Sequence, residues 1–386
     1  MSSLHFHPAR SGVYYPRSRI FIQTMNAVHA GNRIGTLWQE RLASLREYEV
    51  VRDGNVFATS FSNNYVFASA FEQAHRKLAR LTEQYDGVAF ETLFPGEEVM
   101  NAGGACTVLT TRHPLTVMAP VDVARHTRDM LSDLTLVHGV GRATQKRLNA
   151  RGYGTIANLA QHPKFRVRAA GVLECLSSGD PAAIMRMISS RHAKSHPIVL
   201  GTAGFFAPED FVFLDIETLG LFSRPIILFG VGTIERHELV VRQYLLRDID
   251  EEPAALAATL GHLTRERPAL VTFNGKSFDL PYLQDRLAYY GMKPAIGITH
   301  FDMLHFSRRR WKDQFPSLRL AALEREILGV NREGDIPSQM VPEFYEIFLR
   351  TGNCGPLVPV VEHNRQDVVS LALLFYHLLE ESYGCR

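Results

Sequence analysis

The second half of this chain predicts an α/β fold built on a mixed sheet, and three observations carry that prediction. From Phe211 onward, apolar runs of strand length alternate with longer segments of helical character. The first three runs, over residues 211–218, 225–233 and 239–246, follow one another across short turns, the connection of antiparallel neighbours. A helix opened by Pro253 then separates them from a fourth run at 269–273, the connection of a parallel pair.

The chain has 386 residues, 46% of them hydrophobic, long enough for two or three domains with their own cores. We divide it at residues 1–130, 131–200 and 205–386. No apolar run reaches the roughly 18 residues that a membrane-spanning helix needs. The first residues, with His5, His7, Pro8, Arg10 and Pro16, lack the apolar core of a secretion signal. The expectation is a cytoplasmic protein with no membrane partner. Cysteines 106, 175, 354 and 385 have no CxxC spacing and suggest neither a zinc site nor a disulfide framework.

Residues 1–130 read as a small α+β region. Helices are expected at 34–48 and 65–85, the second with Phe67, Phe71, Leu78 and Leu81 at helical spacing. The Gly103-Gly104 turn and a short strand at 106–110 follow. Its scattered histidines form no catalytic constellation.

From Leu134 the character changes. The formal net charge is +2, but residues 138–196 hold ten lysines and arginines against Glu174 and Asp180 alone. Such a basic segment is a footprint of phosphate-backbone binding, and equally of a solvated helical face. Residues 136–148, Leu-Val-His-Gly-Val-Gly-Arg-Ala-Thr-Gln-Lys-Arg-Leu, resemble a helix-hairpin-helix module. The resemblance implies that the Gly139–Gly141 turn brings backbone N–H groups to a phosphate at the positive end of a helix, with Arg142 and Lys146 reinforcing the contact. An αα-hairpin used only for packing is the alternative. Further helix is expected over 163–190, and residues 191–206 read as a linker.

Asp215 and Glu217 close the first strand of the second half, in Phe-Val-Phe-Leu-Asp-Ile-Glu-Thr. Side chains alternate along a strand, so both carboxylates share one face. Two like charges beside a core survive when something positive sits between them, and a divalent metal is the natural candidate. After the fourth strand, Asn274-Gly275-Lys276-Ser277-Phe278-Asp279 puts another acid where strand gives way to helix, the place where ligands gather in open α/β sheets. The last helix carries His363 and Asp367, four apart and therefore on one face. Hard carboxylate oxygens suit Mg²⁺ or Mn²⁺ rather than zinc. Helices are further expected at 280–290, 318–328, 342–350 and 358–379.

In this order, Asp-Ile-Glu-Thr, Asn-Gly-Lys-Ser-Phe-Asp and His-Asn-Arg-Gln-Asp resemble the three exonuclease motifs of the DEDD superfamily, which has an RNase H-like fold. Phe301-Asp302-Met303-Leu304, Ser317-Leu318-Arg319-Leu320, Leu328-Gly329, Asp335-Ile336-Pro337 and His363-Asn364 bring the chain closest to the YprB-type RNase H-like family, over residues 211–380. The resemblance implies a 3′-to-5′ exonuclease acting on nucleic acid, DNA favoured over RNA, by a two-metal mechanism. Asp215, Glu217, Asp279 and Asp367 would hold two divalent ions, Mg²⁺ or Mn²⁺, and His363 would be the general base. Thr218 and Leu219 would contact the terminal nucleotide, Asn274 would brace the site, and Lys276 would reach a phosphate. In the histidine-bearing branch of the superfamily four residues usually separate the histidine from the last aspartate; here there are three. Asp302 either supports the site from outside or caps the next helix. Arg308–Arg310 with Trp311 offers cations and a stacking surface for a single strand, or a solvated face. An inactive nucleic-acid-binding scaffold is the contrasting reading.

Overall fold

The computed structural model describes residues 61–115, 122–221, 223–295, 297–332 and 334–383. The chain divides into two units, Met1–Ser69 and Ala70–Arg386. The helix expected at 34–48 lies outside the described residues.

In chain order the elements are α1 (Phe61–Gln84), β1 (Glu97–Asn101), β2 (Gly104–Pro114), α2 (Val123–Ser132), α3 (Arg142–Asn149), α4 (Arg166–Ser177), α5 (Pro181–Ser189), α6 (Pro197–Gly201), β3 (Phe211–Thr218), β4 (Ile226–Glu235), β5 (Glu238–Leu245), α7 (Glu252–Leu263), β6 (Ala269–Thr272), α8 (Asp279–Tyr289), β7 (Thr299–Asp302), α9 (Met303–Trp311), α10 (Val341–Thr351) and α11 (Leu357–Tyr383). The strands form one seven-stranded sheet in the order β1-β2-β5-β4-β3-β6-β7. β1 to β5 pair antiparallel along the order β1-β2-β5-β4-β3, and β3, β6 and β7 run parallel. The sheet is mixed, as the connection lengths predict.

β2 differs from expectation. It spans 11 residues and pairs with β5 from Thr107↔Leu245 to Pro114↔Glu238, so the β1–β2 hairpin extends the main sheet instead of standing in a separate N-terminal region. β5 is buried on alternate and intervening positions alike, and the hairpin supplies the backbone partners its outer edge would lack. β7 was not anticipated because it reads Thr-His-Phe-Asp. Its polar members are buried in pairs: His300 Nε2 and Thr272 Oγ1 lie 2.8 Å apart.

The two faces of the sheet carry two cores. Phe211 and Phe213 join α4, α5, α6, α9 and the C-terminal part of α11 on one side, while Val212, Leu214 and Ile216 join α1, α7, α8, α10 and the start of α11 on the other. Residues 191–206 are not a linker: His196 caps α6 by accepting from Ile198 N, and Val199, Leu200 and Ala203 are buried in the first core. The helix expected at 318–328 is a single α-turn, Leu320–Leu323, followed by a π-helical turn, Glu324–Leu328, that Gly329 ends at φ +68°.

Close packing of α11 on the sheet depends on β4. Gly230 and Gly232 sit opposite Asp215 and Phe213. A Cβ on Gly230 would stand 2.4 Å from Asn364 Oδ1 and 2.8 Å from Val368 Cγ2; on Gly232 it would stand 2.8 Å from Val368 Cγ1. The two glycines therefore let the helix that bears His363, Asn364 and Asp367 lie directly over the strand that bears Asp215.

Candidate active site

Residues 211, 213, 215 and 217 of β3 face α11 in turn, so the strand passes from two phenylalanines in the core to two acids at its end. Asp215 Oδ2 accepts from Asn364 Nδ2 at 2.8 Å, and the Asp215 carbonyl lies 3.2 Å from the same amide. Asn364 is itself held by Gln243 Nε2, which donates to its Oδ1 at 2.9 Å and to Val361 O at 2.9 Å. Asp279, first residue of α8, accepts at Oδ1 from Ile216 N at 3.2 Å, which ties the second motif to the gap between the two β3 acids.

His363 brings the third motif in. Its Nε2 lies 3.8 Å from Glu217 Oε1, 3.6 Å from Asp367 Oδ2 and 3.2 Å from Ser338 Oγ. Its Nδ1 lies 2.7 Å from Asp335 Oδ1, a contact that orients the ring. Asp367 Oδ1 is bound by Arg332, whose guanidinium also meets Glu324 and Asp335.

Burial and mutual repulsion dominate the electrostatics. Burial, then the charges of Asp367, Glu217 and Asp279, hold the Asp215 carboxyl well above the usual range. Burial pushes Glu217 up to about 8 against the opposing His363, with Asp367 and Asp279 adding to it. Asp279 is pushed up to about 7 by burial and by Asp302 and Asp367, although N–H groups including that of Ile216 favour its charged form. Burial opposes protonation of His363, yet Asp367, Asp335 and Glu217 together raise it to about 10.

These groups have the chemistry of a divalent-cation site: hard oxygen donors, buried, and short of positive charge. As posed, no three His, Cys, Asp or Glu side chains among the described residues are arranged to hold an ion. Asp367 is turned onto Arg332 and Asp215 onto Asn364.

The remaining expected residues fall around this cluster. Thr218 donates to Gly220 O at 2.8 Å and is nearly buried, at a bulge in the β3–β4 pairing beside Glu217. Leu219 N donates to Pro225 O at 3.0 Å. Asn274 takes φ +65° in the turn before α8, a conformation asparagine tolerates. Asp302 caps α9 by accepting from Leu304 N at 3.2 Å, and it also holds the turn before Asp279 by accepting from Asn274 N at 2.9 Å and Lys276 N at 3.0 Å. Lys276 is half-buried beside Asp302, and burial lowers its pKa. Gly139, Gly141, Arg142 and Lys146 lie apart from the acids, in the turn into α3, where Gly141 is the N-cap and both cations are exposed.

Trp311 offers no stacking surface. It is 3% exposed and packs on Phe315 and His377, while Arg310 pairs with Glu381.

Sequence reasoning missed Arg332, Glu324, Gln243 and Ser338, and gave no role to Asp335 or Asn364. Two signals were present. Glu324 stands on the apolar face set by Leu320, Leu323 and Ile327, and Gln243 interrupts an apolar strand. Arg332, in a polar loop, gave none.

With this geometry in place, the comparisons with known proteins are decisive for the fold. Residues 212–379 match the RNase_H_2 family model, of the RNase_H superfamily. That segment is an RNase H-superfamily domain. Over 183 residues the chain is 34% identical to the uncharacterized protein YprB of Bacillus subtilis (strain 168), which supports an RNase H-like domain similar to that of YprB. The overlap is 45% of this chain and 43% of the relative, so the chain spans less than half of that protein's length. Among the described residues no helix is long and apolar enough to cross a membrane.

Proposed function

We propose that this protein is a metal-dependent 3′-to-5′ exonuclease that hydrolyses the phosphodiester bonds of nucleic acid, with single-stranded DNA as the favoured substrate. The observation that carries the reading is the cluster of half-buried Asp215 with buried Glu217 and Asp279, three carboxylates with raised pKa values beside His363 and Asp367. An RNase H-superfamily domain around them points coarsely to cleavage of nucleic acid.

Two divalent ions, Mg²⁺ or Mn²⁺, held by Asp215, Glu217, Asp279 and Asp367 would neutralise the scissile phosphate, acidify the attacking water and stabilise the departing oxygen. The protein's own groups do the rest. Asn364 fixes Asp215, and the Ile216 N–H fixes Asp279, so two of the acids are oriented before any ligand arrives. Asp335 engages Nδ1 of His363, leaving Nε2 as the atom that takes the proton from water. His363 keeps its proton while the neighbouring carboxylates are uncompensated, and becomes a base when their charge is neutralised. Thr218 and Leu219, just past the acids, contact the terminal nucleotide. Asn274 shapes the turn into Asp279, and Lys276 faces the phosphates from that turn. The turn at Gly139 and Gly141, with Arg142 and Lys146 exposed on α3, holds the strand farther from the site.

The test is a time course on 5′-labelled single-stranded DNA, with a matched RNA strand beside it, in Mg²⁺, Mn²⁺ or chelator. The expected result is a metal-dependent ladder shortening from the 3′ end, lost in Asp215→Asn with Asp279→Asn. Full metal-dependent activity in that double variant would sink the assignment. Intact label in every metal with binding retained would point to a nucleic-acid-binding scaffold.

A further inference from the structure

One group in the site is already cationic and already spoken for. Arg332 presents its Nε–Nη2 edge to Glu324, at 2.5 Å to Oε2 and 2.6 Å to Oε1. Glu324 is completely buried on the π-helical turn, and this two-point fork is the arrangement guanidinium and carboxylate favour. With that edge anchored, the outer hydrogens of the guanidinium remain for other acids. Nη1 lies 3.2 Å from Asp335 Oδ2, and Nη2 also binds Asp367 Oδ1. The second oxygen of Asp367, Oδ2, faces His363 Nε2 at 3.6 Å. Asp367 thus meets a guanidinium at one oxygen and an imidazole at the other, whereas Asp215 meets a neutral amide and Asp279 a backbone N–H. Of the four acids assigned to metal binding, Asp367 alone is paired with a guanidinium among the described residues.

We infer that Arg332 competes with a divalent ion for Asp367, and that an incoming nucleotide phosphate relieves the competition by accepting the Nη2 hydrogen that Asp367 gives up, together with the neighbouring Nη1. The inference rests on the metal-dependent reading above. A cation approaching Asp367 meets a fixed positive charge, so ion uptake by the nucleic-acid-free protein is weakened. Arg332 cannot leave, because Glu324 holds its inner edge; it can only exchange its outer partner. A phosphate is a suitable one, since it accepts the same bidentate geometry as a carboxylate. Ion and phosphate therefore favour each other's binding, and thermodynamic linkage makes the effect reciprocal. The loop of Arg332 couples loading of the site to presence of substrate.

The experiment is calorimetric titration of the full chain with Mn²⁺, with and without thymidine 5′-monophosphate. It compares wild type, Arg332→Gln and the double variant Glu324→Gln with Arg332→Gln. The double variant removes both members of the buried pair and so leaves no orphaned carboxylate, which keeps the test decisive if the single variant folds poorly. Losing one charge-assisted hydrogen bond is worth a factor of about ten or more. Wild type is expected to bind Mn²⁺ about tenfold more tightly with the nucleotide than without it. The variants are expected to bind Mn²⁺ about tenfold more tightly than wild type in its absence, and to gain little from it. If the variants bind Mn²⁺ no better than a wild type that binds it, or keep the full nucleotide effect, the competition is overturned while the metal-dependent reading stands. If no form takes up Mn²⁺ under either condition, both are overturned together.

Discussion

Asp302 holds the turn that leads to Asp279 without touching the acids, and replacing it by asparagine isolates that contribution. The side chain is completely buried and accepts three backbone N–H groups: Asn274 at 2.9 Å and Leu304 at 3.2 Å on Oδ1, and Lys276 at 3.0 Å on Oδ2. Asparagine has the same shape but only one acceptor oxygen. Whichever way it turns, an NH₂ faces an N–H, so at least one charge-assisted bond is lost and one buried donor is orphaned. Each of those costs about 1–3 kcal/mol, and because they describe one site the combined expectation is about 2–4 kcal/mol. The loss falls on the 274–276 turn, three residues before Asp279, so the carboxylate beside Ile216 loses its fixed starting point. Urea denaturation reads the stability, and the gel assay above reads turnover per folded molecule. Asp302→Asn is expected to lower both. Wild-type stability together with wild-type turnover would refute the argument, and lost stability with unchanged turnover would refute the link from the turn to Asp279.

Two other perturbations follow from the packing. Gly230→Ala puts a methyl against Asn364 and Val368, so overpacking is expected to cost about 1–3 kcal/mol and to reduce activity by displacing the amide that holds Asp215, both measurable on purified protein. His126 is buried against Phe205 and Tyr383, neither ring nitrogen has a hydrogen-bond partner among the described residues, and burial pushes its pKa down from 6.5 to about 4. The folded pKa lies below the unfolded one, so the stability gained by keeping the ring neutral is complete above about pH 6.5 and is lost as the pH falls towards 4. Denaturation curves at pH 7 and pH 4 are expected to show His126→Leu losing about 3 kcal/mol less than wild type over that span, and equal losses would contradict the assignment.

How much of this was legible beforehand follows from the range over which each signal acts. The strand period put Phe211, Phe213, Asp215 and Glu217 on one face, and the helical period put His363 and Asp367 together; both are local rules and both hold in the structure. The β2–β5 pairing joins segments more than a hundred residues apart, and nothing in residues 104–114 marks their partner. β7 was hidden because its polar residues are satisfied by neighbours on other elements, so a buried strand reads as a polar one. Arg332 was hidden for the same reason: its charge is matched by Glu324 and Asp367, eight and thirty-five residues away. Trp311 misled in the opposite sense, since a tryptophan beside three arginines looks exposed but is drawn inward by Phe315 and His377.

Elsewhere the fold compensates its buried carboxylates, with three backbone N–H groups at Asp302 or with an arginine. Glu252 is completely buried, yet it accepts from Arg286 through Nε at 2.8 Å and Nη2 at 2.5 Å, from Ile226 N at 2.9 Å and from Tyr290 Oη at 2.9 Å. Glu324 receives the same treatment from Arg332. A buried acid without such compensation is strongly destabilising, and the chain makes arginine available for two of them. Among the described residues Asp215, Glu217 and Asp279 receive no arginine; their nearest support is an amide, a backbone N–H and a histidine at 3.8 Å. Random placement of acids does not account for the difference, because all three converge from β3 and α8 on one end of one sheet face. The missing positive charge is therefore best sought outside the chain, which is the physical basis for placing divalent ions there. It also gives Arg332 its interest, as the one guanidinium among the described residues that reaches into this cluster from a structural pair.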